Sequence, residues 1–166
     1  MTGRSIRRRG RGFTLIEALV TTGILGIGVS ALMVAVGSGT RANGAGRSLT
    51  EASFLAQEVR EWTLKLPFSD TDPGDQGNPP GPDGTDPQTF VDDLDDLLSV
   101  EYSPPRDGQG APISDMIGWT QSVQLTWRDP ADLSTTVTNG ASDVVFVEVE
   151  ILRNSEPVLS TGWLVT

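Results

Sequence analysis

The stretch that decides the fold is RRRGRGFTLIEALVTTGILGIGVSALMVAV, residues 7–36, which passes from an arginine cluster into an apolar segment. Between Phe13 and Val36 the only ionisable residue is Glu17. A helix of these 24 residues is long enough to cross a hydrocarbon core of roughly 30 Å. The sequence therefore predicts a membrane-inserted helix over residues 13–36.

The charge distribution predicts the orientation of this helix. The chain has 166 residues and a formal net charge of −10, but five of its twelve basic residues precede Phe13: Arg4, Arg7, Arg8, Arg9 and Arg11. Basic residues beside a membrane span favour the cytoplasmic side. We therefore expect a single pass through the inner membrane, with a cytoplasmic N-terminus and everything after about residue 37 in the periplasm.

Glu17 requires an explanation, because an unpaired carboxylate within lipid costs several kcal/mol and usually marks a functional position. One alternative is an isolated Glu17 whose side chain reaches back to the headgroups. Another is a secretory signal peptide that is cut within the small-residue run GVSALMVAVGSGT, residues 28–40. The second alternative leaves Glu17 unexplained.

The residues RGFTLIEALV resemble the N-terminal signature of type IV pilins and type II secretion pseudopilins. A basic leader ends at Gly12, Phe13 follows, and a glutamate stands at the fifth position after that boundary, Glu17. The resemblance implies that prepilin peptidase cuts between Gly12 and Phe13 and methylates the new amine of Phe13. It also implies that Glu17 pairs with the N-terminal amine of a neighbouring subunit, which neutralises the carboxylate in the filament.

The segment after the apolar run predicts an amphipathic helix. Residues 37–46 contain four glycines, each costing a helix up to about 1 kcal/mol relative to alanine. Helical spacing then resumes, and Pro67 ends it. The predicted buried stripe consists of Leu49, Ala52, Ala56, Val59, Thr63 and Leu66. One long helix from residue 14 to about 65 is expected; an anchor, a linker and a separate helix remain the alternative.

An acidic loop follows, SDTDPGDQGNPPGPDGTDPQ, residues 69–88. Its closely spaced aspartates supply the hard oxygen ligands that Ca²⁺ prefers, although the full EF-hand pattern is absent. The candidate calcium ligands are Asp70, Asp72, Asp75, Asp83 and Asp86. A solvated surface loop without metal is the alternative.

The next stretch, TFVDDLDDLLSVEY, residues 89–102, has apolar residues at helical spacing and predicts a short acidic helix. Its aspartates are expected on the solvated face, where the charges suit a helix start. Three of them could add ligands to the preceding loop: Asp92, Asp93 and Asp96.

Three alternating segments predict β-strands: GWTQSVQLTWRD (118–129), DVVFVEVEILR (143–153) and PVLSTGWLVT (157–166). Short links between them favour an antiparallel meander, whereas DPADLSTTVTNGAS, residues 129–142, is expected to be a long loop. Four tryptophans are expected to pack in the core or on a sheet face rather than to form a ligand platform. They are Trp62, Trp119, Trp127 and Trp163.

The predicted fold class is α+β and pilin-like, with a long N-terminal helix packed on a small antiparallel head. The helix has a membrane half and an amphipathic half. The predicted segments are a cleaved leader (1–12), a membrane and assembly helix (13–36), a Gly-rich hinge with the amphipathic helix (37–66) and a globular head (67–166).

Composition restricts the classes of function. The absence of His and Cys excludes disulfides, His or Cys metal sites and catalysis by an imidazole or a thiolate. Lys65 is the only lysine and no serine lies in a G-x-S-x-G motif, so an enzyme is not expected. Without residues 1–12 the formal charge is −15, which repels nucleic acid.

The predicted function is therefore that of a structural subunit of a type IV pilus or a type II secretion pseudopilus. The short leader, small head and absence of Cys favour a minor pilin or minor pseudopilin. Its expected partners are prepilin peptidase, other pilin or pseudopilin subunits, the inner-membrane assembly platform and the inner membrane, and no cofactor other than calcium is expected. The alternative is a membrane-tethered, extracytoplasmic binding module.

Overall fold

The computed structural model describes residues 13–68, 80–82 and 91–166. It contains one helix, a single 3-10 turn (Asp95–Leu97) and five strands within these ranges. In chain order they are α1 (Leu15–Thr63), β1 (Val100–Tyr102), β2 (Trp119–Asp129), β3 (Asp132–Thr136), β4 (Val145–Arg153) and β5 (Glu156–Val165). The chain divides into two compact units, Met1–Ala45 and Gly46–Thr166. The predicted α+β class is confirmed.

Helix α1 is continuous through the four glycines between residues 37 and 46. The single-helix prediction is therefore confirmed, and the separate linker is not observed. Pro67 lies beyond the last turn, in which the Leu64 and Leu66 N–H groups donate to the carbonyls of Arg60 and Trp62. The helix ends at Thr63, two residues before the predicted end.

The second half of α1 packs on the head through one face. Its buried residues are Ala52, Leu55, Ala56, Val59, Trp62 and Thr63. This set follows the i, i+3, i+4, i+7 spacing of an amphipathic helix. The predicted stripe was wrong at Leu49, which is 49 % exposed because it precedes the packed part of α1, and it omitted Leu55 and Trp62.

The sheet is antiparallel with the order β1-β2-β4-β5, and β3 pairs with the end of β2. Its inner face carries alternate residues of β2 and β4, as the alternation predicted. The buried residues are Trp119, Gln121, Val123, Leu125, Trp127, Val145, Val147, Val149 and Ile151. Trp62 is also buried and Trp163 packs at the edge of this core, which confirms the packing role predicted for the tryptophans.

Two local predictions were wrong. The acidic helix expected within residues 89–102 is reduced to the 3-10 turn, because Ser99 adopts a positive φ of 59° and the chain continues as β1. The long loop expected over residues 129–142 contains β3. Strand β3 is exposed at every residue, so its sequence has no apolar alternation to reveal it.

A loop between β1 and β2 is held against α1 by hydrogen bonds. The Gly108 N–H donates to Glu58 Oε2 (2.6 Å), and Lys65 Nζ donates to the Gly108 carbonyl (2.7 Å). Gly110 has a φ of +78°, and a Cβ there would lie 2.8 Å from the Trp62 ring. Glycine is therefore required where this loop crosses the helix.

Candidate functional site at the start of helix α1

Thr14 caps the N-terminus of α1. The Ala18 N–H donates to the Thr14 carbonyl (3.1 Å), and the Glu17 N–H makes a long hydrogen bond to Thr14 Oγ1 (3.4 Å). Glu17 thus stands three residues after the cap, which is the spacing of a capping box, and its charge suits the positive end of the helix. The capping role was not predicted, although the T-x-x-E spacing of residues 14–17 was its signal.

The first half of α1 exposes its large apolar side chains. Their exposed fractions run from 52 % at Val29 to 83 % at Leu15. Phe13, just before the helix, is 70 % exposed. An apolar surface of this extent marks contact with a membrane or with other proteins. By length and composition α1 is able to cross a membrane.

The hydroxyl groups of this segment are satisfied within the helix. Thr21, Thr22 and Ser30 each donate to the carbonyl four residues earlier, at 2.7, 2.8 and 2.9 Å respectively. No other partner is therefore needed for these hydrogens in an apolar medium. These polar side chains are compatible with lipid around the helix.

One face of the same segment is a shallow groove of small residues. It is lined by Gly23, Gly26, Ile27, Ser30, Ala31 and Val34. A Cβ placed at Gly23 or Gly26 would have no neighbour within 4 Å. Small residues on one face allow close approach of a second helix.

Comparison with known proteins bears on this same segment. A family model described as the prokaryotic N-terminal methylation motif matches residues 7–33. The chain carries this methylation motif. The match is consistent with the type IV pilin and pseudopilin signature, which confirms the recognition made from RGFTLIEALV. Neither the curated proteins nor the solved structures gave a significant match.

The motif and the exposed helix together support a pilin-like substrate of prepilin peptidase with a membrane-anchoring helix. Of the predicted processing and assembly residues, the structure places Phe13 just before α1 and Glu17 in its first turn. Gly12 lies outside the described residues. The cut and the pairing of Glu17 stay predictions.

The predicted calcium ligands Asp70, Asp72, Asp75, Asp83 and Asp86 also lie outside the described residues. Within the described ranges, no group of three or more acidic residues is arranged to hold a metal ion. Calcium binding therefore stays a prediction.

Asp96 of the 3-10 turn and Asp93 just before it are buried, contrary to the prediction of a solvated face. Asp93 and Asp96 are 3 % and 2 % exposed. Asp93 Oδ1 accepts the N–H groups of Asp95 (2.9 Å) and Asp96 (3.3 Å), and Asp96 Oδ2 accepts the Asp92 N–H (2.9 Å). These buried carboxylates thus accept backbone N–H groups in the turn and just before it. Burial, followed by the nearby charge of Asp95, raises the pKa of Asp93 to about 7.

The raised pKa predicts that the free energy of unfolding falls as pH rises from 5 to 7. In this window the folded chain holds a proton on Asp93 that the unfolded chain has released, because the ordinary pKa of the group is 3.8. We expect a loss on the order of 2 kcal/mol, allowing for solvent screening. Urea unfolding of the full chain in detergent with EDTA, followed by tryptophan fluorescence at several pH values, measures it.

Asp93→Asn keeps the Oδ1 acceptor but cannot ionise, so this variant should lose the stability change between pH 5 and 7. The matched control is Asp143→Asn, since Asp143 is exposed. This control should retain the wild-type dependence. An Asp93→Asn variant with an unchanged pH dependence would contradict the assignment.

Proposed function

We propose that the chain is an assembling, pilin-like subunit of a type IV pilus or of a type II secretion pseudopilus. The observation that carries this proposal is the match of residues 7–33 to the methylation motif. Prepilin peptidase cuts between Gly12 and Phe13 on the cytoplasmic side and methylates the Phe13 amine. The helix stays in the inner membrane, with the head in the periplasm, until the assembly platform moves the subunit into a filament.

The surface of α1 supports both stages of this cycle. Before assembly, the exposed apolar side chains between residues 15 and 36 are suited to contact with lipid. The hydroxyl groups of Thr21, Thr22 and Ser30 donate to backbone carbonyls of the same helix, so they need no partner from the membrane. In a filament the groove around Gly23 and Gly26 offers a face for a neighbouring helix. Other pilin or pseudopilin subunits are therefore the proposed partners of this half of the helix.

Glu17 is the proposed assembly residue. After the cut, the Phe13 amine is positively charged, and Glu17 is the only ionisable side chain in the apolar segment. Pairing between the amine of one subunit and Glu17 of the next would neutralise both charges as the helices leave lipid. This pairing would also fix the axial register of neighbouring helices.

Within the filament, this chain is proposed to be a minor pilin or minor pseudopilin. A small head and the absence of Cys favour it over a major fibre subunit. The formal charge of −15 without residues 1–12 argues against direct contact with nucleic acid. The two filament systems share the N-terminal signature, so this signature does not choose between them.

The test of the proposed function is the intact mass of the native protein. It is measured in inner membranes and in sheared filaments, from hosts with and without prepilin peptidase. We expect a chain that starts at Phe13 and carries one additional methyl group, and we expect the full-length chain when the peptidase is missing. A chain that is uncut in the normal host, or cut near Val36, would favour the tethered or secreted module instead.

A further inference from the structure

Within the part of the chain that the structure describes, strand β5 is an edge strand of the sheet. Among the described residues it pairs with β4 alone, over Glu156–Val165. Alternate residues of an antiparallel edge strand point their N–H and C=O groups away from the sheet, where another strand can bind them. Proteins usually protect such edges with charges, prolines or short strands. Here the run VLSTGWLV, residues 158–165, contains neither a charge nor a proline.

A groove adjoins this edge within the head unit. It has a volume of about 400 Å³ and lies between α1 and β5. Leu159, Thr161 and Trp163 line it from β5, all on the face of the strand that points toward α1. Because side chains alternate along a strand, a strand added beside β5 would direct every second side chain into this groove. Backbone pairing and side-chain burial would therefore occur together.

The helix side of the groove carries a positive charge. Arg60 is exposed, lines the groove, and has no carboxylate within salt-bridge distance among the described residues. Its neighbours one turn away are uncharged: Ala56, Gln57, Thr63 and Leu64. By contrast, Arg47 and Arg153 lie near Glu51. A guanidinium binds a carboxylate through two parallel hydrogen bonds, so Arg60 complements an acidic group in the groove.

We propose that the β5 edge and the Arg60 groove bind an extended segment of a partner protein. This segment adds a strand beside β5, places small or apolar side chains in the groove and directs one carboxylate to Arg60. A second copy of this chain is a weaker candidate, since its strongly acidic head would repel the first. The proposal concerns the head and does not depend on processing at Gly12.

The test uses the full chain in detergent micelles and three terminally blocked nonapeptides labelled for fluorescence anisotropy. The first alternates Thr and Val with a central Glu, the second has Gln in place of that Glu, and the third repeats the first with alternate backbone nitrogens methylated. We expect the Glu peptide to bind about tenfold more tightly than the Gln peptide. Methylation should abolish binding because it removes backbone donors.

Hydrogen exchange of the protein gives a second measurement. When the Glu peptide is bound, the backbone amides within residues 158–165 should exchange more slowly.

Two variants connect binding to the proposed site. Arg60→Gln should bind the Glu and Gln peptides equally, and near-UV circular dichroism should show that its head remains folded. Arg47→Gln is the matched control, because Arg47 is an exposed arginine on the same helix outside the groove. It should keep the tenfold preference.

Several results would overturn the proposal. These are failure of all peptides to bind, equal binding of the methylated peptide, or a Glu preference that persists in Arg60→Gln. Slow exchange of every β5 amide before peptide is added would also overturn it, because the edge would then be covered within the chain itself. Self-association that disappears in Arg60→Gln would assign the edge to a second copy instead.

Discussion

Glu17→Ala is expected to keep the subunit out of filaments while leaving its cleavage, methylation and membrane insertion intact. In the proposed assembly the Phe13 amine of one subunit lies against Glu17 of its neighbour. Removing one partner of a buried ion pair leaves the other charge uncompensated, at a cost of roughly 3–5 kcal/mol. Incorporation should therefore fall by about two to four orders of magnitude.

The capping role of Thr14 provides the matched control for this experiment. Glu17→Ala keeps the bond from the residue 17 N–H to Thr14 Oγ1, because the donor belongs to the backbone. Thr14→Ala removes that acceptor and leaves the carboxylate in place. If pairing is the function of Glu17, only Glu17→Ala should fail to assemble.

The measurement is the amount and intact mass of each variant in inner membranes and in sheared filaments. Both variants should start at Phe13 and reach the membrane at the wild-type level. Normal incorporation of Glu17→Ala would contradict the pairing role. Equal defects in the two variants would instead assign Glu17 to the start of the helix.

The sequence predicted those elements whose side chains alternate between a buried and an exposed face. Strands β2 and β4 each have one face against the core, so their apolar residues recur with a period of two. Strand β5 is less buried but retains enough alternation to be recognised. Strand β3 has no buried face, so its apolar residues do not alternate and its pairing with β2 could not be predicted from the sequence.

Two features of residues 91–102 could not be predicted from the sequence: the end of the turn at Ser99 and the burial of two aspartates. The spacing of the leucines fits a helix, yet the positive φ at Ser99 ends the turn, and neither Gly nor Asn marks that position. Aspartates normally remain in solvent, but Asp93 and Asp96 are buried and accept backbone N–H groups of residues two to four positions away. Such short-range bonds depend on backbone angles that the residue types alone do not specify.

At the N-terminus the sequence was more informative, because a lone carboxylate in an apolar segment is rare for a physical reason. This contrast marked Glu17 as a functional position, the resemblance to pilins implied its assembly role, and the matched methylation motif includes it. Gln121 was predicted only as part of the alternating segment 118–129. Its partners come from α1 and from the loop after β1, at separations of 66 and 15 residues, so no local pattern indicates the contacts.

Gln121→Leu is expected to lower the stability of the head by about 3 kcal/mol. The Gln121 side chain is completely buried. Its Nε2 donates to the carbonyls of Leu55 and Arg106, both at 3.0 Å, and its Oε1 accepts the Arg106 N–H at 2.6 Å. Leucine fills a similar volume but has no polar atoms, so three backbone groups lose their side-chain partner together.

The matched control is Gln124→Leu, because Gln124 is on the same strand but exposed. Its side chain accepts one exposed hydrogen bond, from Ser99 Oγ. This variant should change the free energy of unfolding by less than about 0.5 kcal/mol. Urea unfolding of both full-length variants in detergent, followed by tryptophan fluorescence, gives the comparison. Because Gln121 connects a strand, a helix and a loop, its loss should lower the transition midpoint of the whole head; equal stability of the two variants would show that these bonds contribute no net stability.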